Sequence, residues 1–250
     1  MTGLGTIVNV AAILLGGTAG LALKKILSKR ITDTVMQGVG LAVIIIGISG
    51  ALSAAFTVNI NNNENSISSN HILLMIISLA IGALIGELIK IESRLESLGK
   101  FCEKKFSKPG ETSASASTFS QGFITATLVF CVGSMAIVGS LEDGINKNSD
   151  ILFAKSALDG ISAMIFASAL GAGVLFSAAA VGIYQGMITL LAVFIAPYFD
   201  ETVVTQISLV GAVLIMSIGM NMLGIAKIRV GNLLPAILTP VVYHVIRLFI

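Results

Sequence analysis

Lys155 and Asp159 are the residues with the most chemistry to offer. They stand four apart in Lys155-Ser156-Ala157-Leu158-Asp159-Gly160, so on a helix they share one face and can pair. A helix beginning near Ile151 puts Asp159 roughly 12 Å along its axis. An isolated charge at the centre of a bilayer-spanning helix costs about 2.5–3.5 kcal/mol on insertion scales; pairing, or an aqueous cavity, offsets that cost. One reading is a proton- or ion-responsive carboxylate lining a path, with Lys155 as its counter-charge. The plainer reading has Lys155 reaching to the outer interface with Asp159 as a structural partner. Gly160 directly after the aspartate permits a bend or a close backbone approach.

A second set of polar groups sits in apolar surroundings: Gln37, Gln121 and Gln185, with Asn9, Asn221 and Asn232. Each amide offers two donors and an acceptor. The three glutamines, near cytoplasmic ends of even-numbered helices, are candidates for lining one vestibule that holds a polar solute or a partly dehydrated ion. The ordinary alternative is hydrogen bonding between neighbouring helices. Pro235 and Pro240 interrupt the last apolar run and free carbonyls that must find partners. Transporters use such broken helices to coordinate cations, although a proline in a span is also an ordinary kink.

Enzymatic chemistry has nothing to rest on. There is no nucleophile-elbow serine with a His/Asp partner and no phosphate-binding GxxxxGK[ST] loop. His71 and His244 stand near helix ends without metal-ligand neighbours, and Cys102 and Cys131 have no zinc spacing and read as free thiols. The expectation is no enzyme, no metal and no cofactor.

The elements that must position these residues follow from composition. Of 250 residues, 55% are hydrophobic and only 11% charged, with a mean hydropathy of +0.97. Soluble domains carry about 25% charged residues. Twenty-six glycines in so apolar a chain point to membrane helices packed through small residues. Disordered, disulfide-scaffold and nucleic-acid-binding classes are excluded. With roughly 20 apolar residues per span, the sequence predicts eight: Gly3–Leu23, Val35–Phe56, His71–Ile89, Phe119–Ser140, Ile151–Ala172, Ser177–Ala196, Val203–Leu223 and Asn232–Ile250. Within Ile151–Ala196 only Gly171-Ala172-Gly173 offers a turn, so a re-entrant segment there would give seven. The connector Ile91–Thr118 reads as a short helix plus a flexible loop, and the asparagine-rich Thr57–Asn70 as an outer loop. The fold class is an all-α polytopic membrane bundle, with residues 1–250 as a single transmembrane domain.

Sorted by connector, the basic residues give an orientation. One side collects Lys24, Lys25, Lys29, Arg30, Lys90, Arg94, Lys100, Lys104, Lys105, Lys108, Lys227 and Arg229, and the other only Lys147, Lys155 and Arg247. The positive-inside rule makes the first side cytoplasmic. Loops 24–34, 90–118 and 225–231 of this multi-pass cell-membrane protein are then cytoplasmic and both termini outside. No basic residue precedes the apolar run at Gly3, which reads as a retained span rather than a removable leader.

The chain also echoes itself. Gly16-xxx-Gly20-xxx-Lys24 recurs as Gly82-xxx-Gly86-xxx-Lys90, each set on one helix face with glycines at a packing seam. Gln-Gly pairs at Gln37-Gly38, Gln121-Gly122 and Gln185-Gly186, the last with Gly182 one turn earlier, extend the echo. The expectation is repeated hairpins at 3–56 and 71–140, with 151–250 as the remainder, and Gly182 and Gly186 as further packing positions.

Gly3-Leu4-Gly5-Thr6-Ile7-Val8-Asn9, Gly16-Gly17-xx-Gly20, Lys155-Ser-Ala-Leu-Asp159-Gly160, Leu175-Phe176-Ser177 running on to Ile183-Tyr184-Gln185-Gly186, and Asn232-Leu233-Leu234-Pro235-Ala236 resemble one bacterial family. It is the "domain of unknown function 554" family of multi-pass inner-membrane proteins. The resemblance spans nearly the whole chain; it implies an inner-membrane location and a transporter, and marks Lys155, Asp159, Gln185 and Asn232 as family positions. The expected function is a small-solute or ion transporter using Asp159, Lys155, Gln185, Gln37 and Gln121. The alternatives are a passive channel and a non-transporting scaffold that self-associates as a homo-oligomer. The expected partners are the lipid bilayer and a small solute or ion, with no nucleic acid. The orientation has a direct check: in intact cells a membrane-impermeant maleimide should leave Cys102 unlabelled but react with a cysteine placed at Lys147, and the reverse pattern would invert the topology.

Overall fold

The structure is a computed structural model that describes residues 2–249, except 27–28, 61–64, 70, 95–96, 98–113, 133 and 196–199. Its helices are α1 (Leu4–Ile26), α2 (Lys29–Ala55), α3 (Ile72–Ile89), α4 (Ala114–Cys131), α5 (Ser134–Ile145), α6 (Asp150–Leu170), α7 (Gly173–Ile195), α8 (Glu201–Met222), α9 (Val230–Leu233) and α10 (Thr239–Phe249). Among the described residues seven helices are long and apolar enough to cross a membrane, or eight if the bent α4–α5 pair forms one span. The bundle's outer surface is apolar, as in Leu15, Leu73, Leu88 and Leu190. That is the surface lipid requires.

Three expectations are corrected. The expected Phe119–Ser140 span is two helices meeting at 58°, the second running on to Ile145. Residues 57–70 were expected as loop only; Phe56–Ile60 and Asn65–Ser69 form a two-stranded antiparallel hairpin, with Phe56 opposite Ser69 and Ile60 opposite Asn65. Span six begins at Gly173 rather than Ser177, because Gly171 takes a φ of +81° and turns the chain within two residues. This leaves α6 and α7 as two separate full-length helices. Pro235 opens a 3-10 stretch, Leu234–Leu238, that interrupts the last span as the sequence predicts.

The packing pairs distant segments: α1 lies along α6, α2 along α8, and α3 against α9 and the 3-10 stretch, while α4 and α5 cover α7. Glycines make the close seams. A Cβ on Gly16 would come 2.0 Å from the Gly160 carbonyl oxygen, and one on Gly20 would come 2.2 Å from that of Met164. On α3, a Cβ on Gly82 would sit 2.4 Å from the Ala236 nitrogen, and one on Gly86 would sit 1.8 Å from the Asn232 oxygen. Both ladders thus seat an opposing backbone. The third echo does not. Gly182 faces only the Val10 side chain, and a Cβ on Gly186 would meet open space, because that stretch of α7 approaches side chains rather than another backbone. Overpacking a tight interface costs about 1–3 kcal/mol, so Gly16→Val should lower the thermal midpoint in detergent sharply while Gly186→Ala leaves it near the parent's. Equal midpoints for the two variants would contradict the seam.

Candidate functional site

The α1–α6 seam sets up the site. Because the glycines bring the two backbones together, the short side chain of Asn9 on α1 reaches Asp159 on α6. Its amide nitrogen donates to Asp159 Oδ2 at 3.0 Å and to Gln185 Oε1, from α7, at 3.2 Å. Lys155 donates to the same Asp159 oxygen in a buried ion pair, one helical turn along α6 as the spacing predicts. All four residues are buried, Asn9 and Gln185 completely. The Lys155 ammonium also lies 5.9 Å from the centre of the Phe130 ring, which stacks on Phe166 with centroids 6.0 Å apart. In a desolvated setting such a cation–π contact contributes up to about 2 kcal/mol.

The carboxylate dictates the amide orientations. An ionised carboxylate only accepts, so Asn9 must present its nitrogen, and Gln185 must then present its oxygen to that nitrogen. Asn9 Oδ1 and Gln185 Nε2 are left buried without partners. The hydroxyls of Thr6 and Thr189 are likewise buried and unpartnered. Thr6 is three residues before Asn9 and Thr189 four after Gln185, on the same helix faces. A buried polar group without a partner costs about 1–3 kcal/mol, so this cluster retains hydrogen-bonding capacity that the protein itself does not use.

Two further polar layers flank it. At the amino end of α1, the fully buried Asp143 accepts from the Gly3 backbone N–H at 3.0 Å and the Ser149 hydroxyl at 2.7 Å. An acidic group at a helix amino terminus is favoured by the helix dipole. The sequence reading missed Asp143 by assigning it to a loop; the helix continuing past the 58° bend is what buries it. At the opposite end a cavity of about 660 Å³ is bordered by Glu92, Ser120, Gln121, Thr125, Asn221 and Lys227. Thr125 is fully buried there, with its hydroxyl unpartnered.

The other sequence candidates divide. Asn232 accepts from the Glu92 N–H at 2.8 Å and donates to Glu87 at 2.5 Å, and Glu87 also pairs with Arg229 at 2.9 Å. This cluster ties α3 to the broken last span. Asn221 borders the cavity, but its amide grips the Ile228 backbone through both atoms, at 2.6 and 2.8 Å. The three glutamines do not share a vestibule: Gln185 joins Asn9 and Asp159, Gln121 borders the cavity, and Gln37 is exposed on α2. His71, near the start of α3, meets the Gln206 amide at 3.1 Å.

Apolar helices wrapped around buried polar layers define a polytopic helical membrane protein. More particularly, the chain belongs to the family described as "Protein of unknown function (DUF554)", whose sequence model matches residues 4–245. It is 35% identical over 246 residues to the "Uncharacterized membrane protein YdfK" of Bacillus subtilis (strain 168), covering 98% of this chain and 97% of that one. It is 30% identical over 235 residues to the "Uncharacterized protein YqgA" of Escherichia coli (strain K12), covering 94% and 93%. No solved structure matches it.

Removing one partner of a buried ion pair costs about 3–5 kcal/mol, whereas replacing both with apolar residues is often neutral. Lys155→Met should therefore lower the unfolding midpoint in SDS titration far more than the double change Lys155→Met/Asp159→Leu. A single variant as stable as the double would show that the carboxylate is not held as a desolvated ion.

Proposed function

We propose that this protein is a carrier for a small solute or ion, with the Asn9, Lys155, Asp159 and Gln185 cluster as its central binding site. The observation that supports this most is the unused hydrogen-bonding capacity around a charge pair at membrane depth. A purely structural pair in lipid is expected to be saturated, since no water is at hand to complete it. Intramembrane ionisable residues facing a bundle interior commonly mark ion or solute pathways.

The flanking layers suggest how access alternates. The cavity borders the inner end of α4 at Gln121 and Thr125, and five residues further on Phe130 lies against the Lys155 ammonium. The stacked Phe130–Phe166 pair is the barrier between cavity and cluster on one side, and the Asp143–Gly3 contact is the closure on the other. A site closed on both sides favours a carrier over an open channel, whose conductance would far exceed carrier turnover. It also favours transport over a scaffold, whose buried amides should be paired. The uneven basic residues support an orientation with the cavity on the cytoplasmic side of the cell membrane and both termini outside. The two glycine ladders perform the same packing task at Gly160 and Asn232, which supports a duplicated hairpin. No group on this path is arranged for bond-making chemistry, and we assign no enzymatic role.

In proteoliposomes, a panel of alkali cations, small inorganic anions, carboxylic acids and amino acids should include at least one solute taken up above the empty-vesicle rate. Asp159→Asn should remove that uptake, and Phe130→Ala should turn it into a faster, less selective leak. A panel without any flux, or an Asp159→Asn variant moving solute at the parental rate, would contradict the carrier reading.

A further inference from the structure

We propose that the cluster is a monovalent-cation site at which an alkali ion competes with the Lys155 ammonium for the Asp159 carboxylate, so that one cation enters as one proton leaves. This rests on the carrier reading and names its cargo. Its basis is the donor set together with charge balance. Asn9 Oδ1, Thr6 Oγ1 and Thr189 Oγ1 are buried oxygens without partners on the helix faces that meet the carboxylate. Carboxylate, amide and hydroxyl oxygens are the ligands of hard cations.

Charge balance then selects the ion. With Lys155 protonated and Asp159 ionised, the buried pair is neutral, and a net charge at this depth is costly. A cation arriving beside the ammonium would leave one uncompensated positive charge. If Lys155 gives its proton to water, the amine is neutral and the cation takes over the carboxylate; net charge stays at zero in both states. A divalent ion would leave one positive charge in excess, and an anion would meet a carboxylate that cannot leave.

Among the described residues, Lys155 is the cation that meets the carboxylate. α1 presents Thr6 and Asn9, α7 presents Gln185 and Tyr184, and α4 presents Phe130 and Cys131. Asp143 of α5 is engaged by Gly3 and Ser149. The ionisable residues of α2, namely Lys29, Arg30 and Asp33, lie at its inner end. Lys155 is thus the group through which protons couple.

The test uses the full-length protein in liposomes loaded with a pH-sensitive dye and diluted into Na+, Li+, K+ or, as a control, choline. At least one alkali ion should alkalinise the lumen above the empty-vesicle rate, and choline should not. The same ion should raise the thermal midpoint of the detergent-solubilised protein, its apparent affinity rising about tenfold per pH unit, as one-for-one competition with a proton requires. Lys155→Gln should leave the Asp159 carboxyl to carry the exchangeable proton itself, so ion-dependent stabilisation should persist with its pH profile displaced from the parent's. Asp159→Asn should lose the stabilisation, its pH dependence and the lumenal signal. An unmoved pH profile in Lys155→Gln would overturn the role of Lys155. Absence of any alkali-dependent signal from the parent overturns the proposal. If another solute still moves and Asp159→Asn stops it, only the cargo is wrong; if nothing moves, the carrier reading falls as well. PH-independent binding in the parent also overturns it.

Discussion

The structure depends on the cost of a charge where there is no water. Lys155 and Asp159 neutralise each other within one turn of α6, and that pairing is what allows a carboxylate to lie at membrane depth at all. Neutralisation alone does not satisfy the carboxylate's lone pairs. Asn9 adds a second hydrogen bond to the same oxygen across the α1–α6 seam, and Gln185 on α7 accepts in turn from Asn9. Three helices are therefore committed to one polar cluster, and their apolar faces close around it.

Close approach is the condition for that arrangement. Asparagine is a short side chain, so Asn9 meets Asp159 only because α1 and α6 share a seam lined by Gly16, Gly20 and Gly160. The same device recurs where Gly82 and Gly86 admit the backbone of the broken last span. There the polar partners are Glu87, Arg229 and Asn232, every one of them hydrogen-bonded. The contrast between the two clusters is informative. The Asn232 cluster uses its groups to hold elements together, while the Asp159 cluster leaves several idle.

Much of this was legible in the sequence for a local reason. Long apolar runs announce spans, and a four-residue spacing announces that Lys155 meets Asp159, whatever surrounds them. The glycine ladders announced seams by the same periodicity. What the sequence could not show is which helix lies against which: Asn9 finds Asp159 and Gln185 across 150 and 176 positions, and helical period gives a face without its partner. Repetition also misled. The Gln-Gly pairs look like one motif, yet Cβ atoms on Gly38 and Gly186 would meet nothing within 4 Å, and Gln37 is exposed. Asp143 escaped notice because a bent helix, unlike a straight one, carries its acidic end back into the protein.

The Lys155–Asp159 pair is kept for work rather than for stability. The most direct measurement is solute flux in proteoliposomes through the Lys155→Met/Asp159→Leu protein, made alongside its unfolding midpoint. The double variant should be about as stable as the parent and carry nothing. A double variant that is equally stable and transports at the parental rate would show that the pair has no part in transport.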